Sequence, residues 1–283
     1  MKNVRIGHVD LDTSHPEAWI NVLRSQGYTN IYGVYDGGTV YPEGYAEAFA
    51  KRLGIPNVYK DLRKMAEEID IAFIHSCNWD LHIERAKPFI ETGKAVFIDK
   101  PMAGCLKDIN QLIEWSKKGY RITGGSSLRY CCEINEFNNI KNSLGDIQFI
   151  LAGAPTDEFN YGIHAYSFLH GLMGTGISCV KHIDSRSQHL VELKWKDGRV
   201  GLLCVGETQS FYKTFATIVG IRGTCHIEVD NSRIYQALLE KVVPYLCRES
   251  DDIIPLEELL EIEKAALAAR VSWQNNNRVV YLH

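Results

Sequence analysis

Two spacings of apolar positions alternate along the first 123 residues. Short, almost uninterrupted apolar runs (VRIGHV, IYGVY, IDIAFIH, AVFI and YRIT) read as strands. Between them, HPEAWINVLRSQ, PEGYAEAFAKRL, DLRKMAEE, WDLHIERAKPFIETG and LKDINQLIEWSKKG carry apolar residues at helical spacing. Strands that are apolar on both faces belong in a parallel sheet covered by helices on each side. Right-handed crossovers then make residues 1–123 a doubly wound, Rossmann-type α/β domain.

The pattern changes beyond that point. VELKWKDGRVGLLCV alternates apolar and polar residues on its first arm, with Asp197-Gly198 as a hairpin turn. FATIVGIRGTCHIEV repeats the arrangement around Arg222-Gly223, and PLEELLEIEKAALAARVSW reads as a closing helix behind Pro255. Residues 124–283 are therefore expected to form an α+β domain on a mostly antiparallel, open sheet, serving substrate binding and oligomerisation. Alternate apolar residues such as Val191, Leu193 and Trp195 are expected on its free face, where they would pair copies of the chain into a homo-oligomer.

Composition narrows the partners. A 45% hydrophobic fraction over 283 residues supports real cores, and a formal net charge of −4 gives no case for nucleic acid or an anionic membrane. Eight cysteines without a C-x-x-C pair suit reduced thiols rather than a disulfide framework or a zinc site. No apolar run approaches the ~18 residues of a membrane span, and no charged-then-apolar leader precedes NVRIGHV. The expectation is a cytoplasmic protein.

Ligands of a doubly wound sheet bind beyond the carboxyl ends of its strands. AVFIDKPMAG delivers Asp99 and Lys100 to that edge, with Pro101 behind them. Asp36 ends VYD, where an acid accepts from adenosine ribose hydroxyls and repels a 2′-phosphate; with Gly37 and Gly38 next and no arginine nearby in sequence, NAD is favoured over NADP. Asn78 either caps the following helix or touches a nicotinamide, and His82 reads as structural. His164 opens the helix of YGIHAYSFLHGLMGTG, four residues after Asn160, and an imidazole suits proton transfer near neutral pH.

The segment after the first strand is unusual. GHVDLDTSHPEAW has no glycine from His8 to Trp19, so it lacks G-x-G-x-x-G, and Asp10 and Asp12 bring negative charge to where phosphates would lie. Asp12, Thr13 and Ser14 either contact a phosphate at the helix start or cap that helix. A metal reading of His8, Asp10, Asp12 and His15 matches no specific ligand spacing, and no metal is expected.

Together and in this order, the pieces resemble the glucose–fructose oxidoreductase and inositol dehydrogenase (Gfo/Idh/MocA) family. GKAVFIDKPMAG is similar to its strand and E-K-P signature, with Asp99 for the glutamate. SSLRYCCEINEFNNIKNSLGDIQFI resembles its crossing segment with an arginine, here Arg129, and YGIHAYSFLHGLMGTG its histidine helix. The resemblance implies an NAD(P)-dependent dehydrogenase acting on a sugar, cyclitol or related polyol. It implies that Lys100 bonds the reacting hydroxyl, that His164 is the acid/base, and that Arg129 and Asn160 join them in binding substrate. With the readings of Asp36, Asn78 and the 12–14 segment given above, Asp99 is expected on the cofactor side. The family often has an aspartate where Asn160 stands, and Asp157 and Glu158 are out of register to replace it. A non-catalytic dinucleotide-fold protein, or a lyase or glycosidase assisted by bound NAD, is the alternative.

Overall fold

The computed structural model describes residues 3–156, 159–160, 162–186, 188–206 and 212–282. It divides into two compact units: Met1–Gly125 with Leu239–Leu256, and Ser126–Leu238 with Glu257–His283.

The first unit is built on six parallel strands, β1 (Ile6–Val9), β2 (Ile31–Tyr35), β3 (Asn57–Tyr59), β4 (Ile71–Ile74), β5 (Ala95–Ile98) and β6 (Ile122–Gly124). They lie in the order β3-β2-β1-β4-β5-β6, so the topological switch falls between β1 and β4. Every residue of β1, β4 and β5 is buried, as their uniformly apolar sequences require. The crossovers are α1 (His15–Ser25), α2 (Tyr45–Leu53), α3 (Leu62–Glu68), α4 (His82–Glu91) and α5 (Leu106–Lys117). Asp61 caps α3 by accepting from Arg63 N at 2.8 Å, and Gly54 ends α2 at φ 64°. Gly7 lets α3 lie close on β1: a Cβ there would stand 2.3 Å from Met65 Cε. Strand β3 escapes the apolar pattern because its three residues, Asn-Val-Tyr, are only half-buried at the sheet edge.

The second unit contains β7 (Ile147–Ala154), β8 (Ile177–Ile183), β9 (His189–Trp195), β10 (Val200–Val205), β11 (Phe215–Gly220), β12 (Gly223–Glu228) and β13 (Val280–Tyr281). Their order is β12-β11-β7-β10-β9-β8-β13, antiparallel throughout except for the β7–β10 pair. Helices α6 (Cys132–Leu144), α7 (Ile163–Met173) and α9 (Leu256–Gln274) belong to this part of the chain. Helix α8 (Ile234–Leu246), interrupted by Pro244, is absent from the elements that the sequence pattern predicts.

One expectation is overturned here. Val191, Leu193 and Trp195 do not face outward; all are at most 3% exposed, opposite Leu203 and Gly201 on the covered face. Gly201 leaves the room that Leu169 of α7 fills, since a Cβ would meet Leu169 Cδ2 at 2.8 Å. The alternation was right and its phase was wrong, because a strand's period of two does not say which face a helix will cover. The outward set is Phe149 and Leu151 on β7 with Val200, Leu202 and Cys204 on β10, all half-exposed and in register.

No helix among the described residues is long and apolar enough to cross a membrane. All eight cysteines are free thiols.

Candidate active site

The carboxyl ends of β1, β4 and β5 bring residues 10–15, 75–78 and 99–101 to one edge of the parallel sheet. There Asp99 is 3% exposed and turned inward. Its Oδ2 accepts from His15 Nδ1 at 2.5 Å and faces His75 Nδ1 at 3.4 Å, while Oδ1 accepts from the Lys100 backbone N–H at 2.7 Å. Burial opposes the ionised carboxylate, but His15 and His75 together hold it well below the usual range. His75 Nε2 in turn meets His8 Nδ1 at 3.0 Å, and burial keeps both of these rings neutral by lowering their pKa. One set of tautomers satisfies the chain. His75 and His15 each give an Nδ1 proton to Asp99, and His8 gives its Nδ1 proton to His75. His8 Nε2 is then a buried acceptor without a partner.

The cis Lys100–Pro101 bond follows directly, and Lys100 is itself buried. Asp99 thus anchors the lysine's backbone from within the domain, rather than lying open beside it.

The segment in place of the glycine loop has an order of its own. Asp10, Asp12 and His15 stand at the i, i+2 and i+5 spacing that G-x-G-x-x-G would occupy after β1. Asp10 even keeps the left-handed backbone of a glycine, with φ 57°. Its carboxylate accepts from Arg85 Nε at 3.0 Å, from the Ser76 hydroxyl at 2.5 Å and from Gly37 N at 2.9 Å. Asp12 Oδ2 accepts from Cys77 N at 2.9 Å, and its Oδ1 is buried with no partner. Burial, aided by Asp10 and Asp36, raises the Asp12 pKa against the Cys77 contacts. Thr13 Oγ1 accepts from His15 N at 3.2 Å, whereas Ser14 is exposed and gives α1 no side-chain cap. The acids that the sequence sets beside a phosphate are thus met internally, Asp10 by an arginine and Asp12 by the Cys77 N–H.

Asp36 is half-exposed and loosely held, accepting from Leu11 N and Gly38 N at 3.4 Å each. The sequence shows no arginine near it. The fold supplies one, because Arg85 of α4 lies against Gly37, where a Cβ would stand 2.6 Å from its Nη2. That guanidinium is held by Asp10 and Glu84 over the Tyr35 ring. Asn78 is exposed, and its side-chain oxygen accepts from Asp80 N at 3.1 Å, capping the single turn Trp79–Leu81. His82 is buried between the Ser76 and Met102 carbonyls, the structural part its sequence suggests.

In the second unit, His164 stands in the first turn of α7 with Nδ1 2.6 Å from Ser126 Oγ. Ser126 also accepts from Leu128 N at 3.1 Å, so the hydroxyl that orients the imidazole is itself fixed. His164 lines a cavity of about 250 Å³ with Leu128, Thr156, Thr214, Asn231 and Tyr235. Asn160 is half-buried just before α7, and Asp157 and Glu158 lie outside the described residues. Arg129, beside Gly171 of α7, has a buried Nε without a partner, and burial lowers its pKa. Ser126, His75 and Arg85 are the participants that sequence reasoning missed. Each acts through a partner 24 to 75 positions away, and only Ser126 lies in a quoted motif, at the first position of SSLRYCC.

Among the described residues no cluster of three or more His, Cys, Asp or Glu side chains could hold a metal ion. His8 and His15 are committed to the Asp99 chain, and Asp10 to Arg85.

A dinucleotide needs from this edge a ribose acceptor, N–H groups for phosphate and little uncompensated negative charge. Asp36 supplies the first and the uncapped start of α1 the second. The Arg85–Asp10 pair meets the third for one of the two loop carboxylates. The residues fit NAD.

Residues 11–123 match the oxidoreductase family with an NAD-binding Rossmann fold. A proposed UDP-kanosamine synthase oxidoreductase subunit of Amycolatopsis mediterranei (strain S699) is 27% identical over 151 residues. That stretch covers 53% of this chain and 41% of the relative, less than half of the relative's length. Two solved structures from Lactobacillus casei superpose over almost the whole chain. One is scyllo-inositol dehydrogenase with NAD(H) and scyllo-inositol, with a TM-score of 0.84, 17% identity and 99% of each chain covered. The other is myo-inositol dehydrogenase with NAD(H) and myo-inositol, with a TM-score of 0.83, 18% identity, and 99% of this chain and 97% of that one covered. At such identities the likeness is one of fold.

Proposed function

We propose that this chain, which belongs through residues 11–123 to the Gfo/Idh/MocA oxidoreductase family, is an NAD-dependent dehydrogenase of a sugar, cyclitol or related polyol. The observation that carries the reading is Lys100, delivered by β5 to the ligand edge of the sheet with its backbone tied to the buried Asp99. NAD supplies the hydride acceptor at nicotinamide carbon 4.

The chain's own residues do the rest. Asp36 accepts from the adenosine ribose hydroxyls and its charge disfavours a 2′-phosphate. The 12–14 segment and Asn78 meet the remainder of the cofactor. Lys100 donates to the substrate oxygen as alkoxide character develops, and its charge stabilises that oxygen. His164, oriented by Ser126, takes the hydroxyl proton. Asn160 and Arg129 orient the substrate, Asn160 without contributing charge. Asp99 serves the cofactor end indirectly, by holding Lys100 and His15. The cavity beside His164 mixes the apolar Leu128, Pro155 and Ile234 with Thr156, Thr214, Asn231 and Tyr235, a lining without an acidic or basic side chain other than His164.

We further assign the free sheet face of Phe149, Leu151 and Leu202 to a homo-oligomer contact, and the eight free thiols agree with a cytoplasmic setting. Phe149→Glu should lower the mass measured by light scattering; a wild-type monomer at micromolar concentration would remove this assignment.

Fluorescence titration with NADH and NADPH, followed by a screen of polyols for NADH production, tests the function. NADH should bind more tightly than NADPH, and at least one polyol should yield NADH. The glycine-free loop favours one second reading, a dinucleotide-fold protein that binds its ligand without turnover. NADH binding without oxidation of any polyol would favour it.

A further inference from the structure

Three of the side chains around the His164 cavity can neither donate nor accept a hydrogen bond: Leu128, Pro155 and Ile234. They reach it from separate parts of the second unit. Leu128 belongs to the single turn Ser127–Arg129, Pro155 follows the last residue of β7, and Ile234 is the first residue of α8. The cavity is about 250 Å³, so a ligand of sugar size that fills it touches this apolar set as well as the polar groups.

The apolar set is fixed relative to the imidazole. Leu128 is buried, and its backbone N–H donates at 3.1 Å to Ser126 Oγ, which stands 2.6 Å from His164 Nδ1. One hydroxyl therefore sets both the ring and the leucine. Pro155 leaves a strand held between β10 and β11. Ile234 follows a turn in which Asp230 N donates to Glu133 Oε1 at 2.9 Å and the Asp230 carboxylate accepts from the Ser232 hydroxyl at 2.8 Å. Thr214 is buried, and its carbonyl accepts from Val229 N at 2.9 Å, which joins the segment before β11 to the one after β12.

A polyol with an oxygen on every carbon must turn some hydroxyl toward Leu128, Pro155 and Ile234. That hydroxyl gives up water and gains no partner. A carbon without oxygen loses nothing there and gains apolar contact. Resting on the dehydrogenase reading above, we propose that the substrate is a deoxygenated polyol, a deoxy sugar or deoxy cyclitol. Its methyl or methylene group lies against Leu128, Pro155 and Ile234, and the carbinol to be oxidised faces His164. Thr156, Thr214, Asn231 and Tyr235 receive the hydroxyls that remain.

The test uses pairs that differ by a single oxygen: D-quinovose and D-glucose, D-fucose and D-galactose, L-rhamnose and L-mannose, and a deoxyinositol with myo-inositol. The full-length protein is assayed with NAD for NADH production, and calorimetry on the NADH-loaded protein reads affinity without turnover. In at least one pair the deoxy member should have a kcat/KM and an affinity about tenfold to a hundredfold higher. Ile234→Thr, which sets a hydroxyl among the three apolar side chains, should cut that ratio about tenfold by accommodating the parent sugar. Parents that equal or exceed their deoxy partners in every pair would overturn the proposal, as would a ratio unchanged in both Ile234→Thr and Leu128→Asn. A deoxy preference in binding without NADH production would keep the specificity and overturn the dehydrogenase reading. If no member of any pair binds, the proposal fails, and the dehydrogenase reading is decided by the wider polyol screen. If neither variant folds, the wild-type ratios decide.

Discussion

His15 donates to Asp99 across 2.5 Å, linking the start of the first helix to the end of the fifth strand inside the parallel-sheet unit. The pair ties the cofactor loop to the lysine motif, because the same carboxylate accepts the Lys100 backbone N–H. Removing one partner of such a buried pair leaves the other unsatisfied. Asp99→Asn should cost about 3–5 kcal/mol at pH 7 in urea unfolding. The folded pKa of Asp99 is depressed, so its contribution is present above the unfolded value of ~3.9 and lost as pH falls through and below it. The gap between wild type and variant should therefore close below about pH 4. A gap that stays constant down to pH 3 would show that Asp99 is not held as an anion.

His8, His75 and His82 are buried as neutral rings, their pKa values lowered first by burial. A histidine with a lowered folded pKa contributes stability above its unfolded value of ~6.5, lost as pH falls through that value because the unfolded chain binds the extra proton. Unfolding free energy should thus drop between pH 7 and 5. His8→Asn, which keeps a donor for His75, should remove about 1.4 kcal/mol per pH unit from that slope. An unchanged slope in His8→Asn would mean that His8 is already charged in the fold.

Arg85 compensates Asp10, which is fully buried. Arg85→Met should destabilise the chain by about 3–5 kcal/mol and weaken NADH binding. Adding Asp10→Asn should restore part of both, since the uncompensated charge is then gone. Thermal melts and NADH titrations of the two single variants and the double variant form the cycle, and additive losses would rule out the coupling.

Lys100→Met should leave NADH binding nearly intact and lower turnover by about a hundredfold or more, the scale of a lost oxyanion donor. His164→Ala should have a similar effect with an altered pH profile. Ser126→Ala removes the hydroxyl 2.6 Å from His164 Nδ1. It should shift the pH–rate profile and lower kcat by about tenfold. A Ser126→Ala enzyme with the wild-type profile would confine that serine to its turn with Leu128.

The sequence by itself determined the α/β class, the order of the parallel-sheet elements except β3 and α8's absence from the plan, and the edge at which Asp36, Asp99 and Lys100 emerge. These are local properties: an apolar run, a helical spacing or a turn residue constrains the chain within a few positions. It also identified the glycine-poor loop as the anomaly. Only the tertiary structure decided what that anomaly means, by closing Asp10 on Arg85, Asp12 on Cys77 and His15 on Asp99 over 65 to 84 positions. The same holds for the Ser126–His164 pair and for the face of β9 that turns inward. Side-chain partners brought together by the packing of separate strands leave no periodic trace along the chain, and a strand's alternation is symmetric until another element covers one face.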